Sequence, residues 1–136
     1  MAKLLKYAGN ITVDQQEFPI DATEVVAGRI VTFATASTTG GVRLAEANDA
    51  LSKVAGMCEG VISAADGTNP VTRAIVRPLI PGAQIELAFS GSVPKIGTWV
   101  SVAAGGNGGV VQASTNAAIG RVIEVKTATL VVVQIQ

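Results

Sequence analysis

Short runs rich in branched and aromatic residues dominate this chain. They are RIVTFAT (Arg29–Thr35), TRAIVRPL (Thr72–Leu79), AQIELAF (Ala83–Phe89), TWVSVAA (Thr98–Ala104), GRVIEV (Gly120–Val125) and TLVVVQIQ (Thr129–Gln136). Branched side chains lose rotamer freedom in a helix and pack well on a pleated surface. Gly, Pro, Asn or Ser/Thr clusters separate most of the runs. Many short strands with frequent turns predict a mainly β fold, a small barrel or sandwich. Within Thr98–Val102, strand alternation sets Trp99 on one face and Val100 and Val102 on the other.

Helix signals are sparse. Leu44–Gly56 contains good helix formers and ends at a glycine, which allows one or two turns and at most one short helix. Asp21–Glu24 resembles a capping sequence, but Gly28 follows closely and the segment reads as loop. Residues 1–24 mix polar positions with isolated apolar ones, and Pro19 blocks a long ladder. They read as an extended N-terminal arm ahead of a β domain spanning 25–136. Leu4, Leu5, Tyr7 and Phe18 would be wasted on a free arm, so they are candidate contacts, either with the arm's own domain or with a neighbouring subunit. Such an arm would serve attachment more than folding.

The two halves of the β domain, 25–80 and 83–136, echo each other. Gly28 aligns with Gly97, each opening a strand, and Gly40-Gly41-Val42 aligns with Gly108-Gly109-Val110. Ala55-Gly56 aligns with Ile119-Gly120, and RAIVRP with LVVVQI as matching last strands. Phe33 and Trp99 fall in similar places and read as core anchors. The echo bears on the most motif-like stretch, SVAAGGNGGVVQAS (Ser101–Ser114). A phosphate loop needs backbone N–H groups at a helix start, and the Walker type adds a Lys. Here a strand-like VVQAS follows, and the corresponding place in the first half also reads as a turn. Asn107 and Gly108 both tolerate positive φ, so they mark a hairpin tip.

Candidate chemistry is scarce. The chain has no histidine and one cysteine, which removes histidine-based triads, histidine metal sites and thiolate zinc sites. Cys58 lies in VAGMCEGVI and reads as a buried, inert thiol. The carboxylate pairs Asp14/Glu17, Asp21/Glu24 and Glu46/Asp49 sit in polar segments and read as solvated charges. No catalytic, cofactor-binding or metal-binding residue is therefore expected, and no enzyme.

Charge and hydropathy point outward instead. Lys plus Arg balance Asp plus Glu at 10 each, with no like-charged run, which argues against nucleic acid as a partner. No stretch has the length of a membrane span, and no targeting signal is evident, so synthesis in the cytoplasm is expected. Charged residues make up 15% of the chain, against about 25% in ordinary soluble proteins. Mean hydropathy is +0.46. Part of such a surface is suited to self-association or to docking on a partner.

The second half also resembles a known family. Gly97-Thr98-Trp99-Val100-Ser101-Val102, Gly108-Gly109-Val110, Ser114-Thr115-Asn116, Ile119-Gly120-Arg121-Val122 and Val131–Val133 follow the order of motifs in the capsid decoration, or cement, proteins of tailed phages. The match is best over Ala83–Gln136 and looser over Ala27–Leu79; Thr98 stands where the family usually has aspartate. The resemblance implies a β-rich, non-catalytic virion protein on the capsid exterior. Its partner would be the major capsid protein, and it would bind as a homo-oligomer, often a trimer. Another virion part, such as a head-fibre base or a tail protein, and a small β-barrel ligand-binding module remain as alternatives.

Overall fold

A computed structural model describes residues 2–7, 13–20, 25–34, 41–47, 49–66, 69–89, 93–112 and 118–136. The strands are β1 (Ala2–Lys6), β2 (Gln16–Pro19), β3 (Ile30–Phe33), β4 (Val42–Leu44), β5 (Val54–Asp66), β6 (Asn69–Arg77), β7 (Gln84–Ala88), β8 (Trp99–Val102), β9 (Gly109–Gln112), β10 (Gly120–Thr127) and β11 (Leu130–Ile135). They form two antiparallel sheets, ordered β2-β6-β5-β3-β4 and β1-β7-β11-β10-β8-β9. In the first, Ile20 bridges Val42 and draws the end of β2 towards β4, so that the sheet curls into a barrel-like unit. The fold is mainly β, as the branched runs predict.

Both sheets have the same wiring. Strands β2 to β6 correspond in order to β7 to β11, and β1 is an addition at the edge of the second sheet. The correspondence holds residue by residue. Gln16, Glu17, Phe18 and Pro19 face Val76, Ile75, Ala74 and Arg73; Ile85, Glu86, Leu87 and Ala88 face Val133, Val132, Val131 and Leu130. Val31 faces Gly56 as Val100 faces Gly120. Even the irregularities match: the ladder slips after Cys58, which faces Val76, and after Val122, which faces Val133. The strand β2 belongs to the first of these units, so that unit begins inside the segment read as an arm.

The segment is extended, but it is built into the sheets. β1 pairs along β7, with Leu4 opposite Ile85 and Lys6 opposite Gln84. The slip between them leaves one extra residue, Leu5, on β1, which is why its apolar spacing fits no regular strand pattern. Pro19 is tolerated because β2 is an edge strand. Among the described residues between β4 and β5 the helical content is a single 3-10 turn, Leu51–Lys53; Gly56 and Gly60 had hidden the strand that follows.

Two buried clusters make up the core. One lies inside the first unit, with Val31, Val42, Cys58, Ala74 and Val76, flanked by half-buried Phe18, Ile20 and Leu44. The larger fills the second unit with Ile85, Leu87, Phe89, Val100, Val102, Val122, Val131 and Val133. Ile30, Ala45 and Met57 of the first unit join this second cluster, as does Ala2. The two units are thus joined by apolar packing, with the outer face of the first set into the interior of the second. Phe33 and Trp99 are not core anchors. Phe33 is 40% exposed and Trp99 is half-buried. By register Phe33 matches Val102, and Trp99 matches Ile30, whose partners are Arg121 and Met57. The segment Asp21–Glu24, Gly40 and the linker at 114–116 lie outside the described residues.

Candidate functional site

The N-terminal strand forms one wall of a concavity on the described surface. Its start is fixed on two sides: the Ala2 amide donates to the Gly28 carbonyl at 3.0 Å, while the strand runs along β7. Between β1 and the paired start of β5 and end of β6 lies a cleft of about 790 Å³. Leu4, Leu5 and Tyr7 line it together with Met57, Cys58, Glu59 and Arg77. Three of the apolar residues singled out in the sequence therefore converge. Leu5 is 37% exposed, Leu4 and Tyr7 pack partly on the core, and the Tyr7 hydroxyl donates to the Pro78 carbonyl at 2.7 Å.

Phe18 lies elsewhere. It sits in β2 with its ring edge-on to Phe33, centroids 5.5 Å apart, at the open end of the first unit's own cluster. Trp99 carries a further feature that the sequence reading missed: the Arg121 guanidinium lies 5.8 Å from its ring centroid. Their adjacency arises from cross-strand pairing between β8 and β10, which no local sequence signal reveals.

Among the described residues two ion pairs involve the cleft, Glu59 with Arg77 and Glu86 with Lys126, and the first is the more elaborately bonded. Arg77 Nε donates to Glu59 Oε1 at 2.5 Å, and Gln15 Nε2 donates to Glu59 Oε2 at 2.5 Å. Arg77 Nη1 also donates to the Val13 carbonyl at 2.8 Å. These bonds tie the chain between β1 and β2 to the β5–β6 hairpin. The Arg77 hydrogen bond, aided by that from Gln15, holds the Glu59 carboxyl below the usual carboxylate range. Burial pushes the Tyr7 hydroxyl up, with Arg77 opposing it. Burial likewise raises the Cys58 thiol, whose sulfur donates to the Gly60 carbonyl at 3.3 Å. A buried thiol raised in this way is protonated and a poor nucleophile. The cleft combines largely apolar walls with the Glu59–Arg77 pair, the exposed Lys3 and Lys6, Glu86 held by Lys126, and a fixed hydroxyl.

The other candidate carboxylates are dispersed. Glu17 pairs with Arg73 at 3.7 Å on the surface. Asp49 is not solvated as its polar segment suggested; it is 7% exposed. Its Oδ2 accepts from the Glu46 amide at 2.8 Å and faces Arg43 Nη1 at 3.5 Å. It therefore stabilises its own turn. Among the described residues no group of three or more His, Cys, Asp or Glu side chains is placed to hold a metal ion.

The tip at Asn107 and Gly108 joins β8 to β9, but not as a two-residue turn. The connection is longer, with a 3-10 turn at Ala104–Gly106 and the Ala103 amide donating to the Gly108 carbonyl at 3.0 Å. Asn107 keeps a negative φ of −109°; the positive values fall on Gly105, Gly106 and Gly108. The loop is closely packed, since a Cβ at Gly106 would strike the backbone of Ile30 and one at Gly108 the Ala88 carbonyl. Its backbone is committed to the junction between the units.

No family model matches the chain. No curated protein and no solved structure is significantly similar to it.

Proposed function

We propose that this chain is a non-enzymatic virion structural protein that decorates the outside of an assembled phage capsid. The observation that carries the reading is the set of large apolar side chains at its surface. Leu5, Val26, Phe33, Val61, Ile96 and Val125 are all exposed, in a chain whose charged fraction is only 15%. Distributed apolar contacts of this kind suit an extended protein partner better than one small polar ligand. The motif order of the second half, which resembles the cement proteins, supplies the identity of that partner, the major capsid protein. In this role the protein is a homo-oligomer, a trimer being favoured. It spreads contacts across the joints of the shell and raises the cost of separating capsid subunits. The cleft along Leu4, Leu5 and Tyr7 is its leading attachment surface.

Mixing the purified protein with undecorated shells tests this. Electron microscopy is expected to show regular added density on the capsid exterior, and sedimentation should carry the protein with the shells. Protein left wholly in the supernatant would defeat the proposal. The cleft of about 790 Å³ favours a second reading, a β-barrel module that binds an apolar small molecule. Saturable binding of such a molecule without shell binding would favour it.

A further inference from the structure

The repeated architecture leaves one interface unused. In the second unit, Leu87 and Val102 line the interior and are fully buried, and Phe89 is 8% exposed. Ile30, Ala45 and Met57, from the outer face of the first unit, are part of what covers them. The equivalent interior positions of the first unit follow from the strand registers: Phe18 for Leu87, Ile20 for Phe89 and Phe33 for Val102. They are not covered in the same way. Phe33 is 40% exposed, and Phe18 and Ile20 are half-buried. The complementary surface is also free: Trp99 and Arg121 stand where the first unit has Ile30 and Met57, with Arg121 exposed and Trp99 half-buried.

We propose that the Trp99–Arg121 face of one copy docks into the Phe18–Phe33 mouth of a second copy, head to tail. The contact repeats between chains the packing that joins the units within a chain. It rests on the self-association proposed above and is independent of the shell. The residue types fit the role. At four of the five pairs the buried residue is Leu87, Val102, Ile30 or Met57, and its less buried counterpart is Phe18, Phe33, Trp99 or Arg121, residue types enriched at protein interfaces; the fifth pair, Phe89 and Ile20, runs the other way. The stacked guanidinium keeps the indole ring covered until the partner arrives. A head-to-tail contact uses a different patch on each copy, so it closes into a ring or extends as a chain.

The test is sedimentation velocity together with paired cysteine cross-linking, on the full chain. The wild type is expected to sediment as an oligomer. Arg121→Glu, a change on the exposed surface, and Phe33→Ser should each raise the concentration needed for association by roughly tenfold or more. An equimolar mixture of Arg121→Cys and Phe33→Cys chains should cross-link on mild oxidation, while neither does so alone. Cross-linking of either variant with itself would overturn the proposal, because it would show a two-fold contact. An oligomer that persists in both Arg121→Glu and Phe33→Ser, with no cross-link in the mixture, would overturn these surfaces and leave self-association standing. A wild type that is monomeric at every concentration would overturn both. Co-sedimentation of the same variants with shells reports separately on decoration.

Discussion

Gly56 and Gly120 meet the same obstacle at matching places in the two units. A Cβ on Gly56 would collide with the Arg77 carbonyl oxygen, and one on Gly120 with the Gln134 carbonyl oxygen. Arg77 and Gln134 themselves correspond in the ladders, so the close approach is a repeated structural requirement. Gly97 is a useful contrast, because its φ is +89° but nothing lies within 4 Å of a Cβ there. Gly97→Ala should therefore cost only the left-handed backbone penalty, about 1–2 kcal/mol. Gly56→Ala, with φ at +151° and a blocked site, should cost about 1–3 kcal/mol more as the strands are forced apart. Denaturant unfolding of the two variants measures the difference, and equal losses would contradict the collision. The sequence aligned Gly56 with Gly120 correctly because each precedes an apolar run. It set Gly41 against Gly109, whereas the equivalent hydrogen bonds, from Ala34 to Gly41 and from Ala103 to Gly108, pair Gly41 with Gly108. A Gly-Gly-Val motif fits two registers equally well, and only the ladder chooses between them.

Strands with continuous branched runs were legible, since β3, β6, β7, β8, β10 and β11 each fall within or overlap a predicted run. Of the rest, β9 overlaps the strand-like VVQAS after the turn, while β1, β2 and β5 escaped for identifiable reasons. β5 carries Gly56 and Gly60 and follows a stretch of helix formers, so local propensity masked a strand held by pairing on both sides. β1 and β2 are edge strands, with a slip in one and a proline in the other, and neither shows strict alternation. The gathering of Leu4, Leu5 and Tyr7 in one cleft was anticipated only as a need for some cover, because the cover comes from Met57 and Arg77 far along the chain. Built in this way, β1 contributes to folding. Ala2 is buried, and Leu4 and Tyr7 pack on the larger cluster. Deleting residues 1–7 is expected to lower unfolding free energy by on the order of 2 kcal/mol, since a fully buried large apolar side chain contributes about 1.5–3 kcal/mol and these are only partly buried. Thermal and denaturant melting of the truncated chain checks this. An unchanged transition would restore the reading of a detachable arm.

For the whole molecule, the packing of one unit into the other decides how the chain unfolds. The sequence echo suggested two related units but said nothing of their asymmetry, because a repeat shows likeness and conceals which copy covers which. The second unit's cluster is completed by Ile30, Ala45 and Met57 from the first unit and by Ala2 from β1. A fragment covering only residues 83–136 loses all of them. Ile30 and Met57 would each have contributed about 1.5–3 kcal/mol, and a domain of roughly 55 residues has little stability to spare. The fragment also loses β1 along its β7 edge and leaves that edge unpaired. It is therefore expected to be unfolded or aggregated alone. Adding a fragment covering residues 1–80 should restore a folded complex, because the two fragments together carry every strand and the apolar residues that complete the shared cluster. Amide dispersion in NMR spectra of each fragment and of the mixture is the measurement. Cooperative folding of 83–136 alone at the stability of the full chain would show that the two units are independent domains. A folded mixture from an unfolded fragment would show that the second unit depends on the first for its fold.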